Sequence, residues 1–245
     1  MSFAGDESVE VRHLRAATEA LRQRLSGYER DGAPDGVRHL VGLQRMVEQL
    51  VEMEPRAQRS VWILQPRYFW DPEDPGVELT YSTQARGVTT LLVTRPATLQ
   101  VHPLLPSIFP TTRVAPVFIG AMVVDEHEAV IAGEDSGLGE RTIWVTERED
   151  IVAAVLHIWN LTLELSVPIL PPGTQPPLSR RQLRVAQLLA VGEKDNAIAR
   201  RLDMSVRSVE RDVHAILTEL GARSRTEAVL LMRGRGVNGG QPDSL

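Results

Sequence analysis

From Leu178 to Arg235 the apolar residues recur at intervals of three and four and fall into four short runs. Each run opens on a side chain able to cap a helix. Ser179 with Gln182, and Ser224 with Glu227, have the spacing of a capping box, in which a hydroxyl and the residue three positions on satisfy two backbone donors reciprocally. Asp195 and Ser205 are the predicted caps of the two helices between, and Gly192 and Gly221 stand where helices should stop. The third run, Val206 to Leu220, places Val206, Val209, Val213, Ile216, Leu217 and Leu220 on one stripe. Arg207, Glu210, Arg211, His214 and Thr218 occupy the opposite face, which is polar and rich in donors.

Upstream the pattern changes twice. Val11, Leu14, Thr18, Leu21, Leu25 and Tyr28 alternate spacings of three and four, which predicts either a short coiled-coil seam or one amphipathic helix packed on its own domain. A second helix is predicted over Val37 to Glu54, ending before Pro55. Beyond it come short β-branched or aromatic runs bounded by turn residues: Ser60 to Leu64, Val88 to Thr94, Phe118 to Val124, Glu128 to Ala132 and Arg141 to Thr146. Phe118 to Val124 is apolar throughout, as a central strand covered on both faces would be. Helices over Pro75 to Arg86 and Glu147 to Ser166 would supply the cover, which makes this region an α/β layered domain. The expected divisions are N-terminal helices over 1–54, the α/β domain over 55–167, a proline-rich linker over 168–177, an all-α module over 178–235 and a disordered tail over 236–245.

Charge sharpens this picture. The 245-residue chain has a formal net charge of −5, yet residues 178–235 hold twelve Arg plus Lys against seven Asp plus Glu, a net of +5. A basic module inside an acidic chain is suited to electrostatic attraction to a polyanion such as DNA. The chain has no Cys, which removes disulfides and thiolate chemistry, and the natural setting is a reducing cytoplasm. No apolar leader or membrane span is visible: the most apolar stretch, Ile151 to Leu170, contains His157, Asn160, Glu164 and Pro168. Lys194 is the only lysine, so residues 1–177 can form no Schiff base and no phosphate-loop lysine contact, and lack the lysine of a phospho-acceptor receiver.

The C-terminal module resembles the LuxR-type (GerE-like) helix-turn-helix domain of bacterial transcription regulators. The residues that carry the resemblance are Leu178-Ser179, Arg181, Gly192, Asn196-x-Ile198-Ala199-x-x-Leu202, Ser205-x-x-Ser208-Val209, Val213-x-x-Ile216, Leu220-Gly221 and Arg223-Ser224-Arg225-Thr226-x-Ala228. The resemblance implies a double-stranded DNA partner and a homodimer. The implied DNA contacts are Asn196, Ser205, Arg207, Ser208, Glu210, Arg211, His214 and Arg225, with the apolar face of the fourth helix, including Ala228, Val229 and Leu231, as the dimer contact. Two departures stand out: Glu210 where the family often has Lys, and Asp212 where it often has His. Two carboxylates on or near a DNA-facing surface would weaken phosphate attraction.

The α/β region resembles the phospholipase-D-like sensor domain of TrmB-like and related LuxR-type regulators. It does so through the Val37 to Glu54 segment leading into Ser60-Val-Trp-Ile-Leu64, Arg86-Gly87-Val88, and the strand pair ending Val123-Val124-Asp125 and Ala129-Val130-Ile131. Active enzymes of that type use His-x-Lys-x-x-x-x-Asp, in which His attacks phosphorus and Lys stabilises the developing charge. Counting back from Asp125, this chain has Phe118 and Gly120 at those places, so the resemblance implies no catalytic residues and no cofactor. The Asp125-Glu126-His127-Glu128 cluster reads as a hairpin turn and no metal site is assigned. Trp62, Arg67, Tyr68, Trp70 and Arg95 are candidates for binding a small-molecule effector, with core packing as the alternative for the aromatic ones. Three readings follow: a dimeric transcription regulator with a sensing or dimerising domain, a DNA-targeted phosphodiesterase or nuclease, and a partner-recruiting interaction protein.

Overall fold

A computed structural model of the chain describes residues 8–134 and 140–235. Its contacts divide the chain into two compact units. The expected tail over 236–245 lies outside the described residues.

The first unit comprises residues up to Pro66, Pro75–Arg95 and Arg113–Val167. It opens with α1 (Val9–Asp31), capped by Ser8, whose side chain accepts from the Val11 amide. Leu14, Thr18, Leu21 and Leu25 are buried, and the helix packs on a later helix of the same unit, which selects the single-helix reading over a coiled-coil seam. The residues expected to begin a second helix instead form β1 (Val37–Val41), and α2 (Leu43–Met53) starts only after Gly42. Two glycines with positive φ, Gly36 at 81° and Gly42 at 98°, bracket the strand, and such turns interrupt a helix. The rest of the reason is tertiary. His39 pairs across the sheet with Trp144 and stacks on it, with ring centroids 4.1 Å apart.

The remaining elements follow the expected order: β2 (Ser60–Gln65), α3 (Pro75–Ala85), β3 (Thr89–Thr94), then α4 (Thr98–Val101) and α5 (Leu105–Ile108), which the sequence pattern did not predict. After them come β4 (Arg113–Val114), also not predicted, β5 (Ala121–Val124), β6 (Glu128–Ala132), β7 (Thr142–Thr146), α6 (Glu149–Glu164) and a second unpredicted two-residue strand, β8 (Val167–Pro168). The sheet order is β1-β7-β6-β5-β2-β3-β4-β8. Strands β2, β3 and β4 are parallel, and β5, β6, β7 and β1 continue the sheet antiparallel from β2. The central strand is shorter than expected, because Phe118 to Gly120 precede the ladder.

Alternation along the strands makes two cores. Val123, Ile131 and Trp144 pack with Leu14, Leu21 and Leu25 of α1 and with Ile151, Val155, Ile158 and Trp159 of α6. Val124, Val130, Ile143 and Val145 face the other way, toward Met53 of α2. Side chains of this size contribute roughly 1.5–3 kcal/mol each when fully buried.

The second unit comprises Arg67–Asp74, Pro96–Thr112 and the chain from Pro168 onward. The boundaries therefore differ from the expected linear ones: residues 1–54 do not separate from the sheet, and two segments of the expected sensor domain join the C-terminal helices. Those helices are α7 (Arg180–Ala190), α8 (Asp195–Arg201), α9 (Val206–Leu220) and α10 (Arg225–Met232). Leu183, Val185, Ile198, Val209, Val213, Ile216, Ala228 and Met232 are buried in this unit. Ala228, expected to meet a second copy, is fully enclosed, and Leu230 is the α10 residue with a large exposed apolar side chain.

Candidate DNA interface

Two of the four helices, α7 and α9, are capped as the pattern predicts. Ser179 closes a complete capping box with Gln182, and the Ser205 side chain accepts from the Ser208 amide. Gly221 ends α9 in the left-handed region at φ 61°. Two caps differ. Lys194 takes the N-cap of α8, and Asp195 is its first residue. Ser224 accepts from the Glu227 amide at 3.1 Å, but the Glu227 carboxylate accepts from the Arg223 amide at 2.8 Å, one residue before the cap.

Helices α8 and α9 are joined by a short turn in which Asp203 has φ 51°, and α9 packs on α7, α8 and α10. On the outer side of α9, Arg207, Glu210, Arg211 and His214 are exposed. Asn196 is exposed in the first turn of α8, Ser205 is exposed at its cap position, and half-buried Ser208 has its hydroxyl 2.9 Å from that of Ser205. Cations and donors so arrayed on one helix can meet phosphates and base edges in a major groove. Thr218 turns back instead and donates to the His214 carbonyl at 2.9 Å.

The two departures in this helix have different fates. Glu210 is exposed beside Arg211. Asp212 is not on the outer face: its side chain is 2% exposed, and both its oxygens accept from Arg181 of α7, at 2.8 and 3.0 Å. The expectation that Asp212 repels phosphate is therefore corrected. Helical spacing puts position 212 beside Val209 and Val213 at the edge of the buried stripe, where the Arg181 fork satisfies it. The hydrogen bond to Asp212 in turn raises the pKa of Arg181 above the ordinary arginine value.

Arg225 is also engaged. Its guanidinium donates to both oxygens of Asp195, at 2.5 and 2.6 Å, tying α10 to the first turn of α8, and that hydrogen bond raises its pKa. These two forks, α7 to α9 and α10 to α8, were not legible from spacing, because the partners lie 31 and 30 residues apart.

Residues 176–232 match the family of bacterial regulatory proteins, luxR family (GerE). The chain carries a luxR-type domain. By fold, the chain is similar to TrmBL2, an archaeal chromatin protein with a novel mode of DNA binding: 18% identity and a TM-score of 0.46 over 65% of this chain and 64% of that one. It is also similar to Nuc of Salmonella typhimurium, a phospholipase D family member, at 11% identity and a TM-score of 0.43 over 55% of this chain and 99% of that one. The VqmA dimer of Vibrio cholerae, a LuxR-type receptor, matches at 22% identity and a TM-score of 0.24 over 48% of each chain. No curated protein matches the chain.

In the first unit, Asp125 stands at the β5–β6 turn, with φ 52° followed by Glu126 at 59°, and the Val124 carbonyl accepts from the His127 amide. Its carboxylate accepts from the backbone amides of Gln58 at 2.9 Å, Arg59 at 2.7 Å and Ser60 at 2.8 Å. Burial pushes its pKa up, but these amides and the Arg59 charge outweigh burial and hold it below the usual value. Phe118 lies under the Arg15 guanidinium, 4.3 Å from its ring centroid, and its carbonyl accepts from Arg22. A Cβ at Gly120 would stand 3.1 Å from the Ala132 Cβ, so a larger residue there must displace its neighbour.

Trp62 and Arg95 belong to the first unit, whereas Arg67, Tyr68 and Trp70 belong to the second. Trp62 stacks on Trp159 at 5.3 Å, as core aromatics do, and Arg95 donates to the Val117 carbonyl at 2.6 Å. Tyr68 packs edge-on against His102 at 5.1 Å and donates to Asp74 at 3.1 Å, while Trp70 is buried. No helix among the described residues is long and apolar enough to cross a membrane.

Proposed function

We propose that this protein is a transcription regulator that binds double-stranded DNA as a homodimer, with α9 as the helix that enters the major groove. The observation that carries the reading is the exposed Arg207, Glu210, Arg211 and His214 face of α9, held on a luxR-type helical core by the Arg181–Asp212 fork, with the Arg225–Asp195 fork tying α10 to α8. Asn196, Ser205 and Ser208 are assigned to the same surface. Arg225, with its fork on Asp195, contributes by bracing α8.

The α/β unit is read as a cytoplasmic sensing or dimerising domain of phospholipase-D-like descent that performs no chemistry and needs no cofactor. Its Phe118 and Gly120 supply neither nucleophile nor cation, and Asp125 is occupied by three backbone amides. A small-molecule effector is the partner proposed for it.

Selection of duplexes from a random-sequence pool by the full chain tests this reading. Enriched sites should be pseudo-palindromic, with half-sites about one helical turn apart, and affinity should fall as salt rises. Absence of duplex binding even at low salt overturns the reading, and enrichment of unrelated single half-sites by a monomer overturns its dimeric part.

A further inference from the structure

The segment Pro96–Thr112 leaves the sheet after β3, rejoins it at β4, and belongs to the same compact unit as the luxR-type helices. It is internally ordered. The amides of His102, Leu105, Ser107, Ile108, Phe109 and Thr112 all donate to carbonyls within the segment, and Leu104, Leu105 and Ile108 are buried. It holds the C-terminal part of the chain at three places. Ile169, at the start of the proline-rich stretch, donates its amide to the Thr112 carbonyl at 3.0 Å. Leu178, 2% exposed and one residue before the cap of α7, donates its amide to the buried Ser107 hydroxyl at 3.0 Å, and α5 packs on α7. Gly234, past the end of α10, sits so close to Val101 that an added Cβ would stand 2.9 Å from its carbonyl oxygen.

Both ends of the luxR-type module therefore rest on one excursion from the α/β sequence. The proline-rich stretch between sheet and helices is pinned at each end, and pinned segments do not behave as free linkers. We propose that Pro96–Thr112 is a positioning element of the DNA-binding unit, with Ser107 setting where α7, and through the Arg181–Asp212 fork α9, stands, and Val101 setting where the end of α10 stands. The inference rests on the DNA-binding reading for its consequence and on packing alone for its geometry.

The test uses the full chain and two duplexes, one selected by the wild type from a random pool and one of the same length and scrambled sequence. At a temperature where circular dichroism shows each variant folded, Ser107→Ala should weaken binding of the selected duplex by roughly 3- to 30-fold. Binding of the scrambled duplex should change less, and Ser107→Thr should restore much of the loss. Gly234→Ala, which presses on Val101 from the other end, should act in the same direction and decides the matter if Ser107→Ala does not fold. A purely structural role would lower the melting temperature and leave the ratio between the duplexes unmoved, and that result overturns the proposal. Native-state amide exchange separates failure of the geometry from failure of the DNA-binding reading. Ser107→Ala should speed exchange in α7 and α9 together, whether or not any duplex binds, and an effect confined to the first turn of α7 overturns the positioning claim.

Discussion

Arg181 and Asp212 form a two-bond ion pair between α7 and α9, in which the carboxylate is buried and the guanidinium half exposed. A buried carboxylate with one fork as its partner is sensitive to loss of that partner, because removal leaves an uncompensated charge. Arg181→Leu should therefore lower the melting temperature of the second unit by several degrees, and Arg181→Leu with Asp212→Leu should recover much of the loss. A thermal double-mutant cycle checks this. If Arg181→Leu melts like wild type, the fork contributes nothing to the placement of α9.

Arg211 is exposed on the outer face of α9. Arg211→Ala should cost about 1–3 kcal/mol in binding a selected duplex if the side chain reads a base edge. Fluorescence anisotropy against selected and scrambled duplexes measures it. Equal losses on both would make Arg211 a phosphate contact.

His102 is 1% exposed, neither ring nitrogen has a hydrogen-bond partner among the described residues, and burial lowers its pKa from 6.5 to about 3. The folded unit thus holds the neutral imidazole, whereas the unfolded chain takes up a proton below about 6.5. The stability tied to neutrality is present above that pH and is lost progressively as pH falls from about 6.5 toward 3. Urea unfolding of the wild type should show this slope, and His102→Phe should remove that part of it. An unchanged slope in the variant would place the titration elsewhere.

Asp125→Ala should destabilise the first unit by roughly 1–3 kcal/mol, because three backbone donors lose a charged acceptor. The wild type should not hydrolyse a bis-aryl phosphodiester. Turnover by wild type that Asp125→Ala abolishes would show instead that the carboxylate is catalytic.

The C-terminal helices were legible in the sequence because their determinants are local. Ser179, Ser205 and Ser224 each cap the amide three residues ahead, Gly221 supplies the left-handed turn, and the apolar stripe of α9 follows from the helical period. The strands from Ser60 onward were equally local readings. What the sequence left open depended on partners distant along the chain. Val37–Val41 has no strong preference of its own and becomes a strand because β7 and Trp144 accept it. Asp212 looked like a charge facing phosphate until packing brought Arg181 to it, and the domain boundary looked linear until Ser107 and Val101 met the two ends of the luxR-type module. Caps, periods and turn residues act within about one helical turn, so one strand of text contains them. Ion pairs and docked segments are chosen by burial, which exists only once the chain has folded.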